Sequence, residues 1–311
     1  MSVSVTQLFW VFLRIGVLSF GGPAAQIALM HRFLVDENKW LTEKQFLNAL
    51  SFCMLLPGPE AMQLATYAGW RLQGVAGGLI AGLLFVLPGA AVIFVLATLY
   101  VTYGDVPLVD TLFLGVQAVA VVIVIEALLK LSGRALIGAA HWVLAGLAFV
   151  GIFFFDVPFP LIVLAAGLYG ALALVSSDAP EAMPVVTVSL GRTLITVLIG
   201  LAIWGVPVLI LDVVFDGAIL TAIGLFFSKL AVVTFGGAYA VLAYMAQDVV
   251  VEFGWLTPTE MMDGLGLAET TPGPLILVTQ FVGYLAAFRE GGYALAFAGG
   301  LGTLWVTFVP C

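Results

Sequence analysis

Ser19-Phe20-Gly21-Gly22 returns as Thr234-Phe235-Gly236-Gly237, Trp40-Leu41-Thr42 as Trp255-Leu256-Thr257, and Pro57-Gly58-Pro59 as Pro272-Gly273-Pro274. All three pairs share one offset of 215 residues. Between 8–68 and 223–283, 17 of 61 positions are identical without a gap, and Arg14 falls opposite Lys229. Shared hydrophobicity explains aliphatic matches, but not collinear Gly, Pro and Trp. The chain therefore carries one unit twice, and each copy is interrupted at its glycines and prolines.

The surrounding composition says where such a unit lives. Hydrophobic residues make up 63% of the 311 and charged residues 9%, with a mean hydropathy of +1.19. A water-soluble domain of this length needs far more charge. The apolar runs are long and continuous rather than alternating, which selects helices over a membrane barrel. The net charge of −8 speaks against a nucleic-acid partner. Cys53 and Cys311 fit neither a metal site nor a disulfide framework. Met1–Gln7 has no basic segment typical of a cleavable signal.

Apolar segments run over 8–34 (interrupted at Gly21-Gly22-Pro23), 46–70 (interrupted at Pro57-Gly58-Pro59), 75–101, 108–131, 135–155, 159–175 and 193–211. The second copy supplies 218–249, 261–285 and 292 onward. We expect a first repeat over 1–176, a polar linker and connecting transmembrane helix over 177–217, and a second repeat over 218–311. Pro310 resembles Pro88, after which the first copy continues; the second therefore reads as shortened, its further helices cut off or supplied by another chain. Each arm around Pro57-Gly58-Pro59 is about 11 residues, or roughly 17 Å, half the hydrocarbon thickness. Two such arms make a re-entrant hairpin or one broken crossing helix. Arg32, Lys39 and Lys44 precede this segment and Arg71 follows it, which places both ends on the cytoplasmic side and selects the hairpin. Whether 8–34 crosses or returns stays open. If both broken segments behave alike, an odd number of crossings separates the copies. The expected fold is all-α and membrane-integral, with two inverted structural repeats and Pro/Gly-broken, re-entrant helices.

A helix broken at membrane depth exposes backbone groups that hydrocarbon cannot satisfy, so it lines a polar cavity or is buried in protein. Half-helices beginning after Gly21-Gly22 or Gly58, and after Gly236-Gly237 or Gly273, aim N–H groups and positive dipole ends inward, where they suit an anion. Pro57, Pro59, Pro272 and Pro274 complete these breaks. The bland reading is a set of packing kinks; recurrence of both breaks in register favours the site. Arg14 and Lys229 could each give one positive charge to a dianion, or could snorkel to the interface. Ser19, Gln63, Thr234, Thr270, Thr271 and Gln280 are neutral donors, although single polar residues in membrane helices commonly tie helices together. Glu60, Glu126 and Glu269 are candidates for proton coupling; Glu60 could equally cap its own half-helix, and Glu126 could bond Lys130. No metal spacing, nucleotide loop or nucleophile elbow occurs, so no cofactor, metal or catalytic residue is expected.

Phe20-Gly21-Gly22-Pro23, Trp40-Leu41-Thr42, the run from Leu56 to Ala65 through Pro57-Gly58-Pro59-Glu60, Gly69-Trp70-Arg71 and Leu87-Pro88-Gly89 together resemble the chromate ion transporter (CHR) family. Thr234-Phe235-Gly236-Gly237-Ala238-Tyr239 and Thr271-Pro272-Gly273-Pro274 carry the resemblance into the second copy. It implies a long, two-domain, multi-pass protein of the cytoplasmic (inner) membrane that exports chromate and confers chromate resistance. Sulfate, an isosteric dianion, stays open as substrate, and a homo-oligomer as a state of assembly. A lipid-phosphate flippase is the alternative transporter reading. An intramembrane enzyme would need a nucleophile or metal set that the sequence lacks.

Overall fold

The computed structural model describes residues 3–104, 190–215, 218–234 and 239–311, together with 106 and most positions between 113 and 173. These residues form helices and no strand. They fall into two compact units, one comprising Met1–Val122 with Ile203–Cys311 and the other Ile123–Ala202. Both copies of the repeat lie in the first.

The first copy contributes four helices: α1 (Val5–Leu18), α2 (Gly22–His31), α3 (Glu43–Cys53) and α4 (Glu60–Tyr103). The second contributes α8 (Ala218–Val233), α9 (Tyr239–Gln247), α10 (Pro258–Thr270) and α11 (Val278–Phe308). Between the copies come α5 (Ala139–Phe155), α6 (Phe159–Ala173) and α7 (Leu190–Phe215). Within the smaller unit α5 packs on α6, Gly151 facing Ile162. Phe149, Phe153, Leu164 and Leu168 on these two helices are exposed, an apolar surface that suits lipid.

Each copy repeats the other in detail. A single π-helical turn follows the second helix in both, Arg32–Glu37 and Asp248–Glu252. Trp40 N–H then donates to Leu34 O at 2.8 Å, and Trp255 N–H to Val249 O at 2.9 Å. The shared Trp-Leu-Thr motif ends in a helix cap: Thr42 and Thr257 form capping boxes with Gln45 and Glu260, satisfying donors the helix cannot. Phe12 and Phe227, identical across the copies, are both fully buried, as are Met30 and Met245.

The breaks make the helices double back. Arg14 Cζ lies 6.0 Å from the centroid of Phe33, although a straight rod would separate those residues by about 28 Å. In the second copy Lys229 reaches Tyr244, and Phe227 lies 6.5 Å from Trp255. Helices α1–α2 and α8–α9 are therefore hairpins. Pro272-Gly273-Pro274 tips another: Gly264 of α10 packs on the Phe281 ring of α11, and Arg289 Nη2 meets Glu260 at 2.6 Å at its base.

Helices α4 and α11 also reverse within themselves, at Gln73–Gly74 and Gly291–Gly292. Both turns require glycine at positive φ, +63° at Gly74 and +69° at Gly292. A Cβ on Gly69 would stand 2.3 Å from Gly77 O, and one on Gly82 2.6 Å from Thr66 Oγ1, so the arms of α4 touch along small residues. Its long arm, 74–103, is about 45 Å, ample for a bilayer crossing. The arm packs on α1, where a Cβ on Gly16 would strike Leu84 O. Thr193–Phe215 is a second stretch long and apolar enough to cross. It is joined to α11 reciprocally: Trp204 Nε1 donates to Val306 O and Trp305 Nε1 to Ile203 O.

Candidate functional site

Breaking a helix leaves carbonyls at the end of one arm and N–H groups at the start of the next. In the larger unit these ends meet across the two copies. Gly58 N–H donates to Thr234 O at 2.7 Å, and Gly273 N–H donates to Ser19 O at 2.8 Å. The two bonds exchange under the 215-residue offset. Each Pro-Gly-Pro tip thus abuts the first break of the other copy. Glycine is required at both tips, with φ +112° at Gly58 and +102° at Gly273.

The carbonyl ends are satisfied. Ser19 Oγ donates to Ile15 O and Thr234 Oγ1 to Leu230 O. Thr270 Oγ1 donates to Gly266 O and Thr271 Oγ1 to Ala268 O. Gln63 Nε2 donates to Pro57 O at 2.6 Å, and Gln26 Nε2 to Gly273 O at 2.7 Å. The N–H ends are treated differently. Helices α1, α3 and α10 begin in side-chain capping boxes. Helix α2 begins at Gly21, α4 at Pro59, and the 3-10 turn leading into α11 at Pro274, all without a side-chain cap. Pro23 stands in the first turn of α2, where a missing N–H is harmless. The helix starts at these breaks thus lack the side-chain caps found at α1, α3 and α10, a polarity that suits an anion.

Among the residues expected at the site, Ser19, Gly22, Gly58, Gly273, Thr234 and Thr271 are buried and belong to the two junctions. Gly21, Pro57, Pro59, Pro272 and Pro274 frame them. Gln63 is 4% exposed, and its Oε1 has no partner among the described residues. The hydroxyls of Ser19, Thr234, Thr270 and Thr271 were expected as donors to a substrate; each has already given its one proton to a carbonyl, so each can only accept. Gly236 and Gly237 lie outside the described residues. Arg14 and Lys229 occupy equivalent exposed positions away from their breaks, the first over Phe33 and the second donating to Tyr244 Oη at 2.6 Å. Glu60 is buried at the first position of α4, where a carboxylate favours the helix start. Its counterpart in the second copy is Leu275. Glu269 is half-buried in α10, and Glu126 is exposed in the smaller unit. Gln280 is fully buried and donates to Ala90 O at 2.9 Å, joining α11 to α4.

A cavity of 330 Å³ opens beside the Gly58 junction. Cys53, Gln63, Thr66, Tyr67, Trp70 and Cys311 line it, among aliphatic side chains. Cys311 Sγ would lie 2.4 Å from a Cβ on Gly58, so glycine is needed for packing as well as conformation. Gln26, a buried residue that ties α2 to the opposite tip, had only a weak signal in sequence, one amide in an otherwise apolar stretch. Asp263, 2% exposed in α10, was also missed.

Comparison with known proteins agrees with the duplicated architecture. The family described as Chromate transporter matches residues 6–171 and 221–311, covering both copies. The chain is 35% identical to a chromate transport protein of Pseudomonas aeruginosa over 302 residues, 94% of this chain and 69% of the relative. It is 31% identical to a probable chromate transport protein of Synechococcus elongatus over 308 residues, 99% and 74% of the two chains. A chromate transport protein of Cupriavidus metallidurans is 29% identical over 325 residues, 99% and 72%. No solved structure matches. The chain belongs to the chromate transporter family, and is a membrane protein.

Proposed function

We propose that this chain, as a member of that family, is a secondary transporter that carries chromate out of the cytoplasm across the inner membrane and so confers chromate resistance. The dianion sits between the two copies, at the junctions where Gly58 meets Thr234 and Gly273 meets Ser19. One observation carries this: carbonyl ends of the broken helices are capped by hydroxyls and amides, whereas α2, α4 and the turn into α11 start without side-chain caps. Helix starts whose N–H groups carry no side-chain cap favour an oxyanion over a cation.

The repeats are inverted about an axis in the membrane plane, and the broken hairpins are re-entrant. The reciprocal junction bonds support a two-fold relation between the copies, and an odd number of crossings between them, expected if both broken segments behave alike, would lay its axis in the membrane plane. Alternating access would rock one copy against the other about the junctions. Sulfate shares the shape and charge of chromate and is the competitor to test. Arg14 and Lys229 act from the hairpin flanks, attracting the anion rather than holding it.

Everted membrane vesicles carrying the chain should accumulate chromate above empty vesicles, and Gly273→Val should abolish that accumulation with the protein still inserted. Excess sulfate measures selectivity in the same assay. Vesicles that accumulate no chromate, or that instead translocate a lipid-linked phosphate, would sink this reading.

A further inference from the structure

Asp263 lies in α10, three residues after Glu260 and ten before Gly273. Its carboxylate is enclosed, and each oxygen accepts one hydrogen bond: Oδ2 from Tyr100 Oη at 2.7 Å and Oδ1 from Gln117 Nε2 at 2.7 Å. Tyr100 is flanked edge-on by Phe113 at 5.0 Å and Phe281 at 5.3 Å. Among the described residues no Lys or Arg is paired with this carboxylate. Its register partner in the first copy is Asn48, neutral and exposed. The repeated scaffold therefore does not itself require an acid at this place.

A carboxylate without a cation in apolar surroundings is costly as an anion, and two neutral donors offset only part of that. A proton removes the charge without a new partner. Bound at Oδ2, it would turn the carboxyl into a donor toward Tyr100 Oη, which can accept. The position also suits exchange with water. Glu260, one helical turn outward, stands at the hairpin base with Arg289, whereas the Gly273 tip is about 15 Å inward along the chain. Among the described residues, the titratable and charged groups around Asp263 are Tyr100 on α4, Glu260 on its own helix and Arg289 on α11. Gln117 and Phe281 add none.

We propose that Asp263 is the proton-binding residue that couples oxyanion movement to proton movement, loaded from the side of the Glu260–Arg289 pair. This rests on the chain's being an oxyanion transporter. As a carboxylate, Asp263 clamps α10 to Tyr100 of α4 and to Gln117. Neutralised, it keeps both partners but without charge assistance, a weaker hold that lets α10 shift. That helix ends at Pro272-Gly273-Pro274, which is bonded to Ser19 O, so its displacement reaches the substrate junction.

The test compares wild type, Asp263→Asn and Asp263→Glu, each purified and reconstituted in liposomes. Infrared spectra recorded across a pH titration read the carboxylic-acid band without any substrate. Chromate–chromate exchange and pH-gradient-driven chromate accumulation are then measured on the same samples. The expected result is a band present in wild type and missing from Asp263→Asn. Gradient-driven accumulation should fall at least about tenfold in that variant while exchange stays within about threefold, and Asp263→Glu should restore the gradient response. No Asp263-dependent band, an unchanged gradient response in Asp263→Asn, or joint loss of exchange and accumulation would each overturn the proposal. A wild-type band without any chromate movement would leave the proton site standing and defeat the chromate reading instead.

Discussion

Gly273 has three constraints at once. Its φ is +102°, its N–H bonds Ser19 O, and a Cβ there would stand 2.9 Å from Leu277 Cδ1 and 3.5 Å from Gly89 Cα. Backbone strain of this kind costs about 1–3 kcal/mol when a side chain is added. Gly273→Ala should therefore lower stability by about that amount and reduce transport further than its loss of folded protein accounts for; equal losses would make the tip merely structural. Arg14 and Lys229 lead to the opposite expectation. Exposed charges contribute little, so Arg14→Gln and Lys229→Gln should each keep transport within about threefold of wild type. Loss of transport in both would return them to the substrate site. At His31 the expected effect is on pH. The ring bonds Glu43 at 2.6 Å and lies 3.3 Å from Asp36. The Glu43 hydrogen bond, only partly opposed by burial, holds the imidazole above its ordinary value, with Asp36 adding to the rise. The protonated form stabilises the fold fully below the unfolded value of about 6.5 and loses that contribution as pH rises through the folded value. Thermal stability in detergent should decline with pH above about 6.5, and His31→Gln should flatten that part of the profile.

At the scale of elements, caps separate two kinds of helix. Thr42 and Thr257 close the helices that start away from the junctions, whereas α2 and α4 start open at the breaks. Thr42→Ala should cost about 1 kcal/mol of stability and leave the chromate affinity of the folded fraction unchanged, as measured by binding at a temperature well below unfolding. The hairpins show what was readable in sequence at this scale. Pro57-Gly58-Pro59 and its twin announced their breaks, because proline and glycine act locally on backbone geometry. The reversals at Gly74 and Gly292 fall in the gaps where the apolar segments divide, between 70 and 75 and between 285 and 292. Contact between the two arms, Gly69 against Gly77 and Gly283 against Gly299, shows how closely the chain folds back there, which the sequence did not.

For the whole molecule, inversion makes a direct prediction. Lys44 and Thr259 are offset by the repeat distance and both are exposed. With Cys53 and Cys311 replaced, Lys44→Cys should react with an impermeant thiol reagent from the cytoplasmic face and Thr259→Cys from the opposite face. Labelling of both from one face would make the repeats parallel and exclude an axis in the membrane plane.

The sequence alone determined the duplication, the helical class and the places where helices break. Each is a local or statistical property: recurring Gly, Pro and Trp at one offset, long apolar runs, and residues that cannot continue a helix. It also exposed the Trp-Leu-Thr repeat, whose threonines the structure shows to be helix caps. Tertiary structure decided which breaks meet. The bonds of Gly58 to Thr234 and of Gly273 to Ser19 join residues far apart in the chain, and no local pattern encodes such a partner. It also decided the standing of the polar residues. Ser19 and Thr234 read as free donors until their protons were placed on carbonyls one turn back. Arg14 and Lys229 read equally as substrate charges or as interfacial anchors until the structure placed them exposed, over aromatic rings. Asp263 stood unremarked inside an apolar segment until the structure enclosed it with Tyr100 and Gln117. Burial and hydrogen-bond partnership depend on the whole packed arrangement, so they cannot be read from a residue and its neighbours in sequence.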